Sequence, residues 1–220
     1  MYTVANIRQY FINELEAENF CTDRNGGKTI ELIGASFIAD EESIFGTVNK
    51  DYVNSEIAWY SMESTNINDI YGGEKEPPAA WKMTANEHGE INSNYGHLIW
   101  SESLFTQYEH VFSELQDNPD SRRGSMIYTR PSIWKEYNEN GKNDFICTNS
   151  VTYYIRDKIL HCVVQMRSND VIFGYKNDYA WQSFVLNMLA SDLGVDTGNI
   201  YWQVQNLHVY EKHFNLVKEL

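Results

Sequence analysis

Val4, Ile7, Phe11 and Leu15 recur three or four positions apart, so the chain is predicted to open with an amphipathic helix. Arg24-Asn25-Gly26-Gly27 has turn composition, and the run from Thr29 to Ala39 that follows reads as a strand. Val53, Ile57 and Tyr60 return to helical spacing, with Glu56 on or near the apolar side. Residues 66–92 hold Gly72-Gly73 and Pro77-Pro78 and are expected to be irregular; long loops in compact domains are often functional. Phe105, Tyr108, Phe112 and Leu115 predict a third helix that ends at Asn118-Pro119.

From Gly124 onward the pattern turns to strands. Residues 145–155 and 159–168, separated by the polar Arg156-Asp157-Lys158, read as a hairpin. Trp181, Phe184, Val185, Met188, Leu189 and Leu193 form a helical stripe that Gly194 stops. Ile200, Trp202 and Val204 alternate as a strand, and a last helix is expected to reach Leu220. Strands and helices interleave without a regular βαβ repeat. The prediction is a single α+β domain over residues 1–220, with one large mixed sheet flanked by helices.

Composition narrows the function. The formal charge of −14 argues against a nucleic-acid surface, which needs a positive footprint. It leaves room for a small anion, because screening over about 8 Å lets a local arginine cluster act alone. Three widely separated cysteines make no disulfide framework, which fits a reducing, cytoplasmic setting. No segment approaches the roughly 20 apolar residues of a membrane span, and the first residues lack a secretory pattern. The histidines show no zinc spacing, and no metal is expected.

Cys147 is the centre of the candidate chemistry. Arg122-Arg123 lies upstream of it, and Arg167-Ser168-Asn169-Asp170 and Asn177-Asp178-Tyr179-Ala180-Trp181 lie downstream. A cysteine attacks as its thiolate, which neighbouring cations favour; Arg130 and Arg167 are the candidates. Taken alone, Cys147 would read as a buried strand residue, Arg122-Arg123 as a solvated turn, Glu56 as a solvent-facing glutamate and Asp178 as a helix N-cap. Cys162 is assigned to the core, and Cys21 has no motif around it.

The order of these segments resembles the thymidylate synthase family over nearly the whole chain. Thr29–Phe37, Gly89–Gly96, Met126–Ser132, Ile155–Lys158, Met166–Gly174, Asn177–Gln182 and Leu207–Tyr210 carry the resemblance. It implies a sheet-to-sheet homodimer with shared active sites. Arg122 and Arg123 would reach the nucleotide phosphate of the partner subunit, while Arg24, Arg167 and Ser168 hold it from their own. His208 and Tyr210 would bind the sugar, Cys147 would be the nucleophile, and Glu56 would handle water and protons. Trp81, Tyr95 and Asp170 would lie on the side of 5,10-methylenetetrahydrofolate, the co-substrate.

Asp178 stands where the synthases carry asparagine, and Asn177 takes that place if the register slips by one. Uracil offers a donor at ring nitrogen 3 and an acceptor at position 4; cytosine reverses both. A carboxylate accepts from the cytosine amino group. Thr148 also replaces the histidine usual after the cysteine, and Ile146 replaces a proline. The resemblance therefore points to deoxycytidylate hydroxymethylation. The alternatives are a uridylate enzyme of the family, a ribonucleotide-using relative, and a catalytically silent nucleotide- or RNA-binding regulator. The chain ends seven residues after His213, shorter than the folate-covering tail that the family implies.

Overall fold

The computed structural model describes residues 1–24 and 26–218. Among the described residues, six strands follow the path β1-β3-β7-β6-β5-β4, and a seventh, β2, pairs with β3 off that path. These are β1 (Tyr2–Thr3), β2 (Cys21–Thr22), β3 (Lys28–Ile38), β4 (Ser125–Ile127), β5 (Thr148–Arg156), β6 (Ile159–Asp170) and β7 (Asp196–Tyr210). The helices are α1 (Val4–Glu16), α2 (Lys50–Ser61), α3 (Ala79–Thr84), α4 (Tyr95–Trp100), α5 (Gln107–Asp117), α6 (Ile133–Glu136) and α7 (Gly174–Leu193). The sheet is mixed: β3 runs antiparallel to β7, and β6 runs parallel to it. Two compact units emerge, Met1–Asn49 with the chain from Tyr153 onward, and Lys50–Thr152.

In the first unit, the apolar face of α1 buries Val4, Ile7 and Phe11, as their spacing predicts. The parallel pair β6–β7 is joined through α7, since parallel strands need a long crossover. Trp202 and Tyr175 are fully buried, with their rings edge to face 5.2 Å apart. Gly194 ends α7 in the left-handed conformation at φ 67°, which glycine adopts without strain. Asp157 and Lys158 both take positive φ in the two-residue turn that leads from β5 into β6.

In the second unit, α2 buries Val53, Glu56, Trp59 and Tyr60. Residues 66–92 are not simply irregular, because a 3₁₀ turn at Ile67–Tyr71 and α3 lie within them. The third predicted helix starts later than expected. Phe105 is 78% exposed and outside it, and α5 buries Tyr108, Val111 and Leu115. Helix α6 and a 3₁₀ turn at Glu139–Gly141 interrupt the strand-rich stretch expected after Gly124. The terminal helix is likewise only a 3₁₀ turn, Glu211–Leu216, and the predicted end at Leu220 lies outside the described residues. No helix among the described residues is long and apolar enough to cross a membrane.

Candidate active site

Glu56 points from α2 into the second unit and is 5% exposed. Its Oε1 accepts a short hydrogen bond from the Tyr52 hydroxyl and a 3.3 Å bond from the indole N–H of Trp81. The same N–H lies 3.0 Å from the Tyr52 oxygen. Burial lifts the Glu56 carboxyl to about 7, although both donors pull it down. Burial also raises the Tyr52 phenol, and Glu56 beside it raises it further, so Tyr52 stays a neutral donor. Trp81 packs edge-on against Trp59 at 5.1 Å, which fixes the indole that α3 supplies. Tyr95 begins α4, buried against Tyr60 at 5.5 Å and Tyr128 at 5.2 Å.

Cys147 immediately precedes β5 and is half-buried, with Sγ 3.9 Å from the Phe145 carbonyl. The segment before it is pinned by Asp144. That buried carboxylate accepts from the Ser93 hydroxyl at 2.6 Å and the backbone amides of Asn92 and Ser93 at 2.7 and 2.8 Å. Asn92 returns a bond to the Asp144 carbonyl at 2.9 Å and is held in turn by Lys142 at 2.8 Å. Burial pushes the Asp144 carboxyl up, against the pull of Ser93 and the two amides. Thr148, after the cysteine, is fully buried, and its hydroxyl has no hydrogen-bond partner among the described residues. Cys162 is fully buried and its thiol is pushed up, in keeping with its core assignment; Cys21 is exposed.

The cations differ in their engagements. Arg130 is paired with Glu136 at 2.5 Å. Arg122 and Arg123 are both exposed, and the Arg123 guanidinium donates to Glu114 at 2.9 and 3.1 Å. Arg24 is exposed in the loop between β2 and β3, where the Asp23 carboxylate accepts from Gly27 N at 2.8 Å; Asn25 lies outside the described residues. Arg167 and Ser168 are half-buried near the end of β6, and Ser168 faces Asn206 across the ladder.

Helix α7 begins at Gly174, so Asp178 sits one turn inside it and is not its N-cap. The N-cap is Phe173, and the turn leading into it is held by Asp170, whose carboxylate accepts from the amides of Ile172, Phe173 and Gly174 at 3.3, 2.8 and 3.2 Å. Asn177, next to Asp178, bonds back through its amide to Phe173 at 3.4 Å. Asp178 Oδ2 accepts from Asn169 Nδ2 at 2.7 Å, while Asn169 Oδ1 accepts from the Trp202 indole at 3.3 Å. An indole nitrogen only donates, which fixes the Asn169 amide with its oxygen toward Trp202 and its NH2 toward Asp178. Gly174 gives room for this, since a Cβ there would lie 3.0 Å from Asn169 Nδ2. Asp170 faces His208 in the register of β6 and β7. The ring of His208 meets that of Tyr210 edge-on at 4.8 Å, and His208 Nδ1 lies 3.2 Å from Asn206 Oδ1.

The second unit thus brings Glu56 and Trp81 together, and the first joins Asp178 to the Arg-Ser-Asn-Asp segment. In the sequence, Tyr52 and Asp144 stand in no motif, while Asn169 is marked only as part of the Arg-Ser segment and Trp202 only as a strand residue. Tyr52 could have been found, because it stands one helical turn before Glu56.

The thymidylate synthase family model matches residues 12–220. The deoxycytidylate 5-hydroxymethyltransferase of Enterobacteria phage T4 is 51% identical, over 98% of this chain and 89% of that enzyme. A thymidylate synthase of Buchnera aphidicola subsp. Acyrthosiphon pisum (strain APS) is 27% identical, over 90% of this chain and 75% of its own. In three dimensions the chain is similar to the crystal structure of thymidylate synthase from T4 phage. The TM-score is 0.76 at 19% identity, covering 94% of this chain and 78% of that one.

Proposed function

Because the chain belongs to the thymidylate synthase family, we propose that it is a deoxycytidylate 5-hydroxymethyltransferase. It converts dCMP, 5,10-methylenetetrahydrofolate and water into 5-hydroxymethyl-dCMP and tetrahydrofolate, and acts as one catalytic domain. The observation that carries the reading is Asp178, a carboxylate that Asn169 and Trp202 hold in a fixed orientation at the family position that reads the base. A carboxylate accepts from the cytosine amino group, whereas uracil presents an acceptor there and repels it. The 51% identity to the T4 enzyme of that name supports the same substrate.

Cys147 adds through its thiolate to carbon-6 of the base, which makes carbon-5 nucleophilic. Carbon-5 takes up the one-carbon unit of methylenetetrahydrofolate and gives up its own proton, and the methylene–nitrogen bond then breaks to release tetrahydrofolate and leave an exocyclic methylene on the base. Glu56 receives the proton of the water that enters at the new exocyclic carbon, a role suited to a carboxyl poised near 7. Departure of Cys147 then restores the aromatic base. Arg24, Arg167 and Ser168 grip the phosphate, and His208 and Tyr210 hold the sugar. Trp81 and Tyr95 offer aromatic surface to the folate, and Asp170 offers a carboxylate.

The direct test is release of tritium from carbon-5 of dCMP, dUMP and CMP in the presence of methylenetetrahydrofolate. dCMP should be preferred, and Asp178→Asn should move the dCMP-to-dUMP ratio toward dUMP by about ten-fold or more, since a mismatched buried polar pair costs about 1–3 kcal/mol. An unchanged ratio would remove Asp178 from base recognition.

The working form is a homodimer in which Arg122 and Arg123 serve the partner's site. In support, both arginines are exposed, and β3 leaves Ile33 70% exposed. Mixing Arg123→Ala with Cys147→Ser subunits should restore activity, because each heterodimer holds one complete site. No recovery despite proven subunit exchange would contradict sharing.

A further inference from the structure

We propose that Tyr52 is a positioning residue for the proton transfer assigned to Glu56, and that it acts by anchoring one carboxylate oxygen so that the other is left to work. This rests on the function proposed above. The geometry is asymmetric: the Tyr52 hydroxyl and the Trp81 indole N–H both donate to Oε1, and Trp81 also lies within 3.0 Å of the Tyr52 oxygen. Oε2 takes part in none of these contacts. A carboxylate tied at one oxygen by two donors cannot swing about its last bond without breaking both. Oε2 therefore keeps one direction through each turnover, which general-base catalysis on a single water requires.

The arrangement is built into the helix. Tyr52 and Glu56 stand one turn apart on α2, so their side chains meet on the same face. The Tyr52 hydroxyl stays protonated beside Glu56, so it remains a donor whether or not Glu56 carries a proton. The other ionisable neighbours are few. Tyr71, at the end of the 3₁₀ turn packed on α2, is the further group that senses the Glu56 charge. From α3, Lys82 is paired outward with Glu76 at 2.5 Å. From α4, Tyr95 packs on Tyr60, and the His97 ring is shifted by burial and by Glu63 and Arg130, not by Glu56. Tyr52 is thus the main titratable partner of Glu56.

The test compares wild type with Tyr52→Phe, which keeps the ring and removes the hydroxyl. Carbon-13 NMR of glutamate-labelled protein follows the Glu56 carboxyl, assigned by its loss in Glu56→Gln. Its midpoint should lie near 7 in wild type and rise by about one pH unit in Tyr52→Phe, as expected when a hydrogen bond to a charged group is lost. With dCMP, kcat should fall at least ten-fold at neutral pH, its acid limb should move up with the midpoint, and KM should change less than three-fold. A midpoint that does not move, or a kcat that does not fall, overturns the assignment. The NMR titration needs no substrate, so it reads the clamp even if wild type fails to act on dCMP, an outcome that would strike the proposed function instead.

Discussion

Burial raises the Glu56 carboxyl from 4.5 to about 7, and this has a consequence for folding as well as for chemistry. Below pH 4.5 the group is protonated in both the folded and the unfolded chain. Between 4.5 and 7 the unfolded chain releases the proton while the folded one retains it, so stability falls as pH rises through this window and levels off above it. The gap corresponds to roughly 3 kcal/mol. Glu56→Gln, neutral and of the same shape, should therefore be more stable than wild type in urea unfolding at pH 8, by up to about that amount, with the advantage gone near pH 4.5. Equal stability at pH 8 would mean that the folded protein does not penalise the charge. The sequence marked Glu56 and Trp81 separately; that they meet depends on the path of the chain between α2 and α3. Asn169 was hidden for the same reason, since its orientation comes from Trp202, 33 residues away.

Among the elements, those with several turns or long alternation were readable. Helices α1, α2, α5 and α7 and strands β3, β6 and β7 all follow from apolar spacing. The one-turn pieces were not. Helix α3 is only six residues long and buries none of them, so no period marks it. Phe105 fits the helical spacing but lies outside α5, because Phe105 and Thr106 both take left-handed φ and the helix starts only at Gln107. At the start of α5, Gln107 does something no pattern announces. Its amide accepts from Ile127 N at 2.7 Å and donates to Ile127 O at 2.8 Å, closing the outer edge of β4 as a neighbouring strand would. It also donates to the Leu98 carbonyl at 2.7 Å, tying α4 to the same point. Gln107→Ala should cost about 1–3 kcal/mol and expose the Ile127 amide to hydrogen exchange. Unaltered protection at Ile127 would show that the edge does not depend on this side chain.

At the scale of the whole molecule, the mixed sheet and the family were legible because the motifs occur in the right order across the chain, and the match to residues 12–220 bears that out. What order alone does not give is how each proposed catalytic or base-reading group is held: Glu56 by Tyr52 and Trp81, Asp178 by Asn169, and the approach to Cys147 by Asp144 with Asn92 and Ser93. These supports are all polar side chains placed by tertiary structure. They serve one central claim, that water completes the reaction on a cytosine nucleotide. Turnover of dCMP with methylenetetrahydrofolate in oxygen-18 water, followed by mass analysis of both products, tests it most directly. A hydroxymethyl nucleotide carrying one labelled oxygen should form in step with tetrahydrofolate. An unlabelled, methylated nucleotide formed in step with dihydrofolate would contradict the claim.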